Sequence, residues 1–220
     1  MTTNELLKIG SNFLKQNNVK SYMIDSELIL SSVSGQTREN FLVKSELILS
    51  KKQIKSFNNL IYRRALSKEP LAYLLNKKEF WSIELGINKD ALIPRPETEI
   101  LVDRLVKYYK GRSPFILDIG TGSGCIIISL LHELKKSRGI AIDISNKALK
   151  IAKKNSKLND TFDRIKFVNS SISNFNSFKF DLIVSNPPYI TSHQLKNLDE
   201  DVKNFEPKIA LDGGNDGLDV

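Results

Sequence analysis

One cysteine, Cys125, stands in 220 residues. That excludes an internal disulfide framework and a zinc site built on cysteines. The two histidines, His132 and His193, are too few and too far apart for a usual metal motif, so no metal is expected. No apolar run reaches the roughly 20 residues of a bilayer-spanning helix. Met1 to Gly10 lacks a basic segment followed by an apolar core, so no secretory leader is expected. These absences together predict a soluble, cytoplasmic chain that contacts no membrane.

Acidic charge is also in short supply. Lysine and arginine number 33 against 25 acids, a formal net charge of +8. A basic balance can mark a nucleic-acid or ribosome-associated partner. Here the lysines are spread along the whole chain among many asparagines, so a solvated, lysine-rich surface is the plainer reading. At 40% hydrophobic and 26% charged the composition is ordinary for a globular protein, and the length suits one large domain or a small one plus a medium one.

The front of the chain is helical in pattern. Leu6, Ile9, Phe13 and Leu14 recur at helical spacing, and a second apolar run spans Tyr22 to Val33 before the turn signal Ser34-Gly35-Gln36. A short segment from Thr37 to Lys44 follows. Ser50 with Gln53 fits a capping box, and behind it Ile54, Phe57, Leu60, Ile61 and Leu66 share a face of a helix reaching about Ser67. Residues 1–68 therefore read as a small helical bundle, equally suited to docking a partner or to capping a neighbour. Glu69-Pro70 breaks that helix. Residues 69–96 read as a connector, with Leu71 to Leu75 and Glu79 to Ile83 extended or in a hairpin. Pro96 suits the first position of the next helix, with Glu97 and Glu99 favoured by its dipole.

Residues 97–220 read as an α/β domain of Rossmann-like type. Phe115 to Ile119 is a strand pattern that runs into Gly120-Thr121-Gly122-Ser123-Gly124 and then into the apolar helix starting at Cys125. Strand, glycine loop and helix form a cofactor-cradling unit. A dinucleotide fingerprint needs its third glycine at the sixth position, where this chain has Cys125. Gly-x-Gly-x-Gly preceded by the acid Asp118 suits S-adenosylmethionine instead. A second strand, Gly139 to Asp143, ends in an acid roughly 20 residues on, where a carboxylate accepts ribose hydroxyls. Asp143 could also cap the helix that follows, and the two roles can coexist. A third strand, Arg164 to Asn169, ends in a tip whose Ser171 and Ile172 would contact the adenine.

The fourth strand, Phe180 to Ser185, stops abruptly at Asn186-Pro187-Pro188-Tyr189. Neither proline has an N–H, and each fixes φ near −65°. Residues before proline avoid the helical region, which holds Asn186 and Pro187 extended. The product is a rigid, donor-poor loop carrying one amide side chain, free carbonyls and a ring. Asn-Pro alone is a common turn former; the tetrapeptide directly after a buried strand is much rarer. In this topology the first and fourth strands neighbour each other, and ligands bind outside their carboxyl ends.

Leu92-Ile93-Pro94-Arg95-Pro96-Glu97-Thr98-Glu99, Asp118 to Gly124, Asn186 to Tyr189, Phe205-Glu206-Pro207 and Ala210-Leu211, in this order, resemble the HemK-type protein-glutamine N5-methyltransferases. So do Arg63-Arg64 and Glu69 to Tyr73. The Asn-Pro-Pro-Tyr motif is shared with amino-adenine nucleic-acid methyltransferases, whereas the Ile-Pro-Arg-Pro-Glu-Thr-Glu segment is far more specific. The resemblance implies a class I S-adenosylmethionine-dependent fold and methylation of the glutamine in the Gly-Gly-Gln motif of peptide-chain release factors. It also implies that Gly120, Thr121, Gly122, Ser123, Gly124 and Asp143 hold the cofactor, and that Asn186, Pro187, Pro188 and Tyr189 hold the glutamine. A helical front end would dock the release factor, with no direct nucleic-acid contact and a monomer expected. Where many members carry an acid or an aromatic beside the adenine, this chain has Ser171 and Ile172. Members continue some tens of residues beyond Val220, and four strands are legible where the family sheet has seven. A fragment or a natural truncation is therefore expected, with the fourth strand's apolar edge unpaired.

An amide nitrogen is a poor nucleophile because its lone pair is delocalised. Asn186 and the Pro187 carbonyl, each accepting one amide N–H, would aim that lone pair, with Tyr189 as a flat wall. The competing readings are an adenine-N6 nucleic-acid methyltransferase and an inactive binding fragment.

Overall fold

Two capping boxes fix where the front helices start. Thr2 accepts the Glu5 N–H at 3.3 Å while the Glu5 carboxylate accepts the Thr2 N–H at 2.8 Å, and Ser50 and Gln53 repeat the arrangement. In the computed structural model, which describes residues 1–43, 47–175 and 179–219, the chain divides into two compact units, Met1–Leu75 and Asn76–Val220.

The first unit holds α1 (Thr3–Gln16), α2 (Tyr22–Ser34), α3 (Arg38–Val43), α4 (Lys51–Leu66) and α5 (Leu71–Leu75). Lys44, at the end of the expected short segment, lies outside the described residues. Leu6, Leu14, Ile29, Leu30, Phe57 and Ile61 form its core, and each such side chain contributes about 1.5–3 kcal/mol on burial. Gly10 lets two helices close up, since a Cβ there would stand 2.6 Å from the Phe57 ring. Asp25 and Arg64 form a buried pair at 2.7 Å. Leu71–Leu75 is a helix and not the expected extended segment. Pro70 ends one helix and starts the next, its carbonyl accepting the Tyr73 and Leu74 N–H groups at 3.0 and 3.1 Å, because a proline in the first turn loses no intrahelical bond.

The second unit begins with a hairpin, one of the two forms expected of this stretch: β1 (Lys77–Phe80) and β2 (Ile83–Gly86), turning on Trp81-Ser82. Both turn residues have positive φ, 52° and 58°, as a two-residue hairpin requires. Then come α6 (Pro96–Tyr108), β3 (Phe115–Ile119), α7 (Cys125–Glu133), β4 (Arg138–Asp143), α8 (Asn146–Leu158), β5 (Ile165–Asn169), β6 (Leu182–Ser185) and α9 (Glu200–Phe205). The sheet is parallel with order β5-β4-β3-β6, so β3 and β6 are the expected neighbours. Ile116, Ala141 and Val184 pack with α6, α7 and the hairpin in the main core, whereas Leu117, Ile140 and Ile142 face Phe115, Phe175 and Phe180. This is the alternation that a strand's two-residue period imposes. β6 lies at the sheet's edge with Ile183 exposed. No helix among the described residues is long and apolar enough to cross a membrane.

Candidate active site

A cavity of about 460 Å³ opens at the carboxyl ends of the strands, within the size range of small-molecule sites. Its walls come from four places distant in sequence: residues 90–98, the loop after β3, the tips of β4 and β5, and a segment containing Asn186, Pro188 and residues 207–212.

The β3 loop forms one wall. Gly120 and Gly122 line the cavity with φ of 68° and 57°. A Cβ on Gly120 would meet nothing within 4 Å, so the bare backbone faces open space. The Gly120 and Thr121 N–H groups donate to the Ile142 carbonyl at 2.9 and 3.0 Å, fixing the loop to β4. Gly124 plays a different part. It is absent from the lining, and a Cβ there would come within 2.7 Å of Ile128, so it serves the packing of α7 at a φ of 82°. The Thr121 and Ser123 side chains are buried. Asn155 bridges the Ser123 carbonyl and Gly86 of β2, locking the loop to the hairpin.

Two carboxylates stand behind this loop. Asp118 is 1% exposed; its Oδ2 accepts the Thr121 hydroxyl at 2.7 Å, and its Oδ1 has no hydrogen bond of good geometry. Burial pushes its pKa up to about 7, against the opposing pull of the Thr121 hydroxyl and the Ile127 amide. Burial likewise pushes the Cys125 thiol up to about 12, so it is not a thiolate nucleophile. Asp143 lines the cavity, its Oδ2 accepting the Gly122 N–H and its Oδ1 the Ser145 N–H, both at 2.8 Å. Each oxygen keeps further lone pairs for a ligand hydroxyl. The cap of α8 is Ser145, which accepts the Ala148 N–H, rather than Asp143. Ser171 and Ile172 line the cavity as expected, joined by the exposed Ile144. Ile144 went unread, although its place just after the acidic strand end marks it.

Asn186 lines the cavity half-buried, and its side chain makes no hydrogen bond among the described residues. Ser185, just before it, ties β6 to β3 through the Ile119 carbonyl at 2.9 Å. Pro188 also lines the cavity. Pro187 and Tyr189 do not; Pro187 is exposed, and the Tyr189 ring is 69% exposed, so it is not a cavity wall in this arrangement. Arg95 is on the lining, paired with Glu206 at 2.6 Å. Pro207, Ile209 and Asp212 complete the wall. Their stretch carries no helical or strand period, and only the family resemblance of Phe205-Glu206-Pro207 and Ala210-Leu211 marks it in the sequence.

The donor set fits S-adenosylmethionine. An open glycine backbone, a carboxylate with spare lone pairs at the second strand end and apolar side chains beside it match its carboxylate, ribose and adenine in kind.

Residues 96–203 match the methyltransferase small domain family and residues 5–75 the PrmC N-terminal domain. The chain is similar to a release factor glutamine methyltransferase of Caulobacter vibrioides, 38% identical over 93% of this chain and 71% of the relative. It is 43% identical to one from Buchnera aphidicola, over 96% of this chain and 75% of the relative. It also matches a bifunctional methyltransferase of Rickettsia typhi at 39% identity, spanning 42% of that longer protein. Among solved structures, the hMettl16 catalytic domain in complex with a MAT2A 3′UTR hairpin is 18% identical, with a TM-score of 0.51, covering 79% of this chain and 61% of that one; it supports the Rossmann-like methyltransferase fold alone. With relatives this similar over more than nine-tenths of its length, the chain belongs to the release factor glutamine methyltransferase family.

Proposed function

We propose that this chain transfers a methyl group from S-adenosylmethionine to the side-chain amide nitrogen of the glutamine in the Gly-Gly-Gln motif of peptide-chain release factors. The observation that carries this reading is Asn186: an unpaired amide side chain at the end of β6, in the same cavity as the glycine loop after β3. Gly120, Thr121, Gly122, Ser123 and Asp143 form the cofactor side, with Gly124 holding the loop's shape. Ser171, Ile172 and Ile144 flank the adenine. When bound, the cofactor supplies an electrophilic methyl on a sulfonium.

The chain's own part is geometric. Asn186 Oδ1 on the cavity lining, together with the carbonyl of the adjoining Pro187, whose side chain is off it, would each accept one N–H of the incoming amide and so orient its nitrogen lone pair. Orientation of this kind supplies on the order of 7–11 kcal/mol at its best. The same acceptors would stabilise the positive charge that methylation puts on the substrate nitrogen. The proton leaves afterwards, when the nitrogen is acidic. No base is required beforehand, which suits a site whose buried acid, Asp118, faces the cofactor loop. Pro188 lines the cavity, and the exposed Tyr189 ring would offer a flat face to the substrate. The acceptor is a protein, with no direct nucleic-acid contact; the helical first unit helps dock it. A monomer acting in the cytoplasm, where release factors work, completes the reading.

The test is methylation of a release factor with labelled S-adenosylmethionine, with and without its Gly-Gly-Gln glutamine, with the label located by mass spectrometry. Label on that glutamine alone is expected. Label on a nucleic acid instead, or none on the release factor, contradicts the reading.

A further inference from the structure

Glu206 is a buried carboxylate away from the cofactor loop, its side chain 1% exposed. It accepts the Ile93 N–H at 3.1 Å and the Arg95 guanidinium at 2.6 Å. It thereby ties the cavity wall before α6 to the end of α9, over 110 residues away in sequence. Five residues after Glu206 the chain reaches the substrate loop. The Ile190 N–H donates to the Leu211 carbonyl at 3.1 Å, and the Gly213 N–H donates back to the Ile190 carbonyl at 2.8 Å. Asp212 accepts the Ser192 hydroxyl at 2.8 Å and the Gly214 N–H at 3.1 Å. Gly217 packs so tightly beneath Tyr189 that a Cβ there would stand 2.7 Å from the Tyr189 carbonyl. Residues 206–214 thus form a strap with two attachments: one to the Ile93–Arg95 wall, the other immediately after Asn186–Tyr189.

We propose that Glu206 is a positioning residue for methyl transfer: through this strap it sets where the Asn186–Tyr189 loop stands relative to the cavity. The inference rests on the function proposed above. The substrate loop has little internal fixing. Pro187 and Pro188 donate nothing, and the Asn186 side chain is unpaired. Its position must therefore come from its ends, β6 on one side and the strap on the other. Glu206 is a buried polar anchor of the strap to the Arg95 wall, and a charge-assisted bond of this kind is strong and directional. The cofactor loop has its own fixings, to Ile142 and Asn155, and does not depend on the strap.

The test is Glu206→Gln, which keeps size and one acceptor but removes the charge. Three quantities are measured: turnover on a release factor, the cofactor dissociation constant by calorimetry, and amide hydrogen exchange at Ile190 and Gly213 against Gly120 and Thr121. The expected result is a kcat lower by about one to two orders of magnitude, a dissociation constant within about twofold, and faster exchange at Ile190 and Gly213 only. Unchanged kcat, or parallel losses in turnover, cofactor binding and protection throughout the unit, overturns the proposal. If Glu206→Gln does not fold, Glu206→Asp, which keeps the charge but shortens the reach to Ile93 and Arg95, is read by the same three measurements. Wild-type chain that leaves the release factor unmethylated refutes the function and the role in turnover together. Methylating wild type with an unaffected Glu206→Gln refutes the positioning role alone.

Discussion

The loops after β3 and β6 sit side by side at the end of neighbouring strands, yet they are built in opposite ways. The β3 loop is pinned along its length to the elements around it: its amides donate to Ile142 and Asp143, its Ser123 carbonyl accepts from Asn155, and its Thr121 hydroxyl donates to Asp118 of β3. The β6 loop has prolines where donors would be and an unpaired asparagine, and it is clasped from outside at Ile190. The difference follows from what each must hold. A cofactor that reuses one pose is served by a preformed, rigid cradle. An acceptor amide needs free hydrogen-bond acceptors, and any partner inside the loop would compete for them.

The comparison breaks most severely at Asn186. Asn186→Ala is expected to lower kcat by about 10²–10³-fold, the usual loss when a preorganised transition-state contact is removed, with the cofactor dissociation constant within about twofold. Steady-state kinetics with calorimetry measures both. Near-normal turnover would remove Asn186 from the chemistry.

On the other loop the largest effect falls on stability. Gly124→Ala places a Cβ 2.7 Å from Ile128 at a φ of 82°. Left-handed backbone and overpacking together are expected to cost about 2–4 kcal/mol, read by denaturant unfolding. Gly120→Ala, with a Cβ that meets nothing within 4 Å, should lose less stability but weaken cofactor binding, which separates the packing glycine from the cradle glycine.

Asp143→Ala removes the acceptor of the Gly122 and Ser145 amides and the group facing the ribose. The cofactor dissociation constant is expected to rise about tenfold or more, with kcat at saturation changed little. A constant that stays put in calorimetry removes Asp143 from the ribose role.

A last effect, on stability and not on turnover, is a pH dependence. Asp118 has a folded pKa of about 7, above the roughly 3.9 of an unfolded aspartate. Between about pH 4 and 7 the folded chain therefore binds a proton that the unfolded chain has released. Stability falls as pH rises through that window and levels off above it, by an amount on the order of 2–4 kcal/mol. Asp118→Asn should remove this slope; an identical slope in the variant would assign it to other groups.

Much of this was legible in the residues. Strands β3 to β6 and their neighbours follow from short apolar runs ended by glycine, acid or proline, and the capping boxes at Thr2 and Ser50 from local side-chain chemistry. The departures are local too: Pro70 reads as a breaker alone, yet it also opens α5, so that Leu71–Leu75 is helical where an extended stretch or hairpin is expected. What no local rule could supply is the strap. Glu206 meets Ile93 and Arg95 across more than 110 residues, and residues 206–214 have no period to read. Their contribution to the cavity is visible only once the sheet has brought the pieces together. The same holds for the contrast between Gly120 and Gly124, identical in sequence terms and opposite in what a Cβ would meet.

The most direct test of a division of labour between the two loops is a double-mutant cycle on Asn186→Ala and Asp143→Ala, reading single-turnover rate and cofactor affinity. Independent loops predict that the rate loss follows Asn186, the affinity loss follows Asp143, and the coupling stays below about 0.5 kcal/mol. A coupling well above about 1 kcal/mol, with either variant impairing both quantities, would mean that cofactor and acceptor are held by one shared element and would contradict the account.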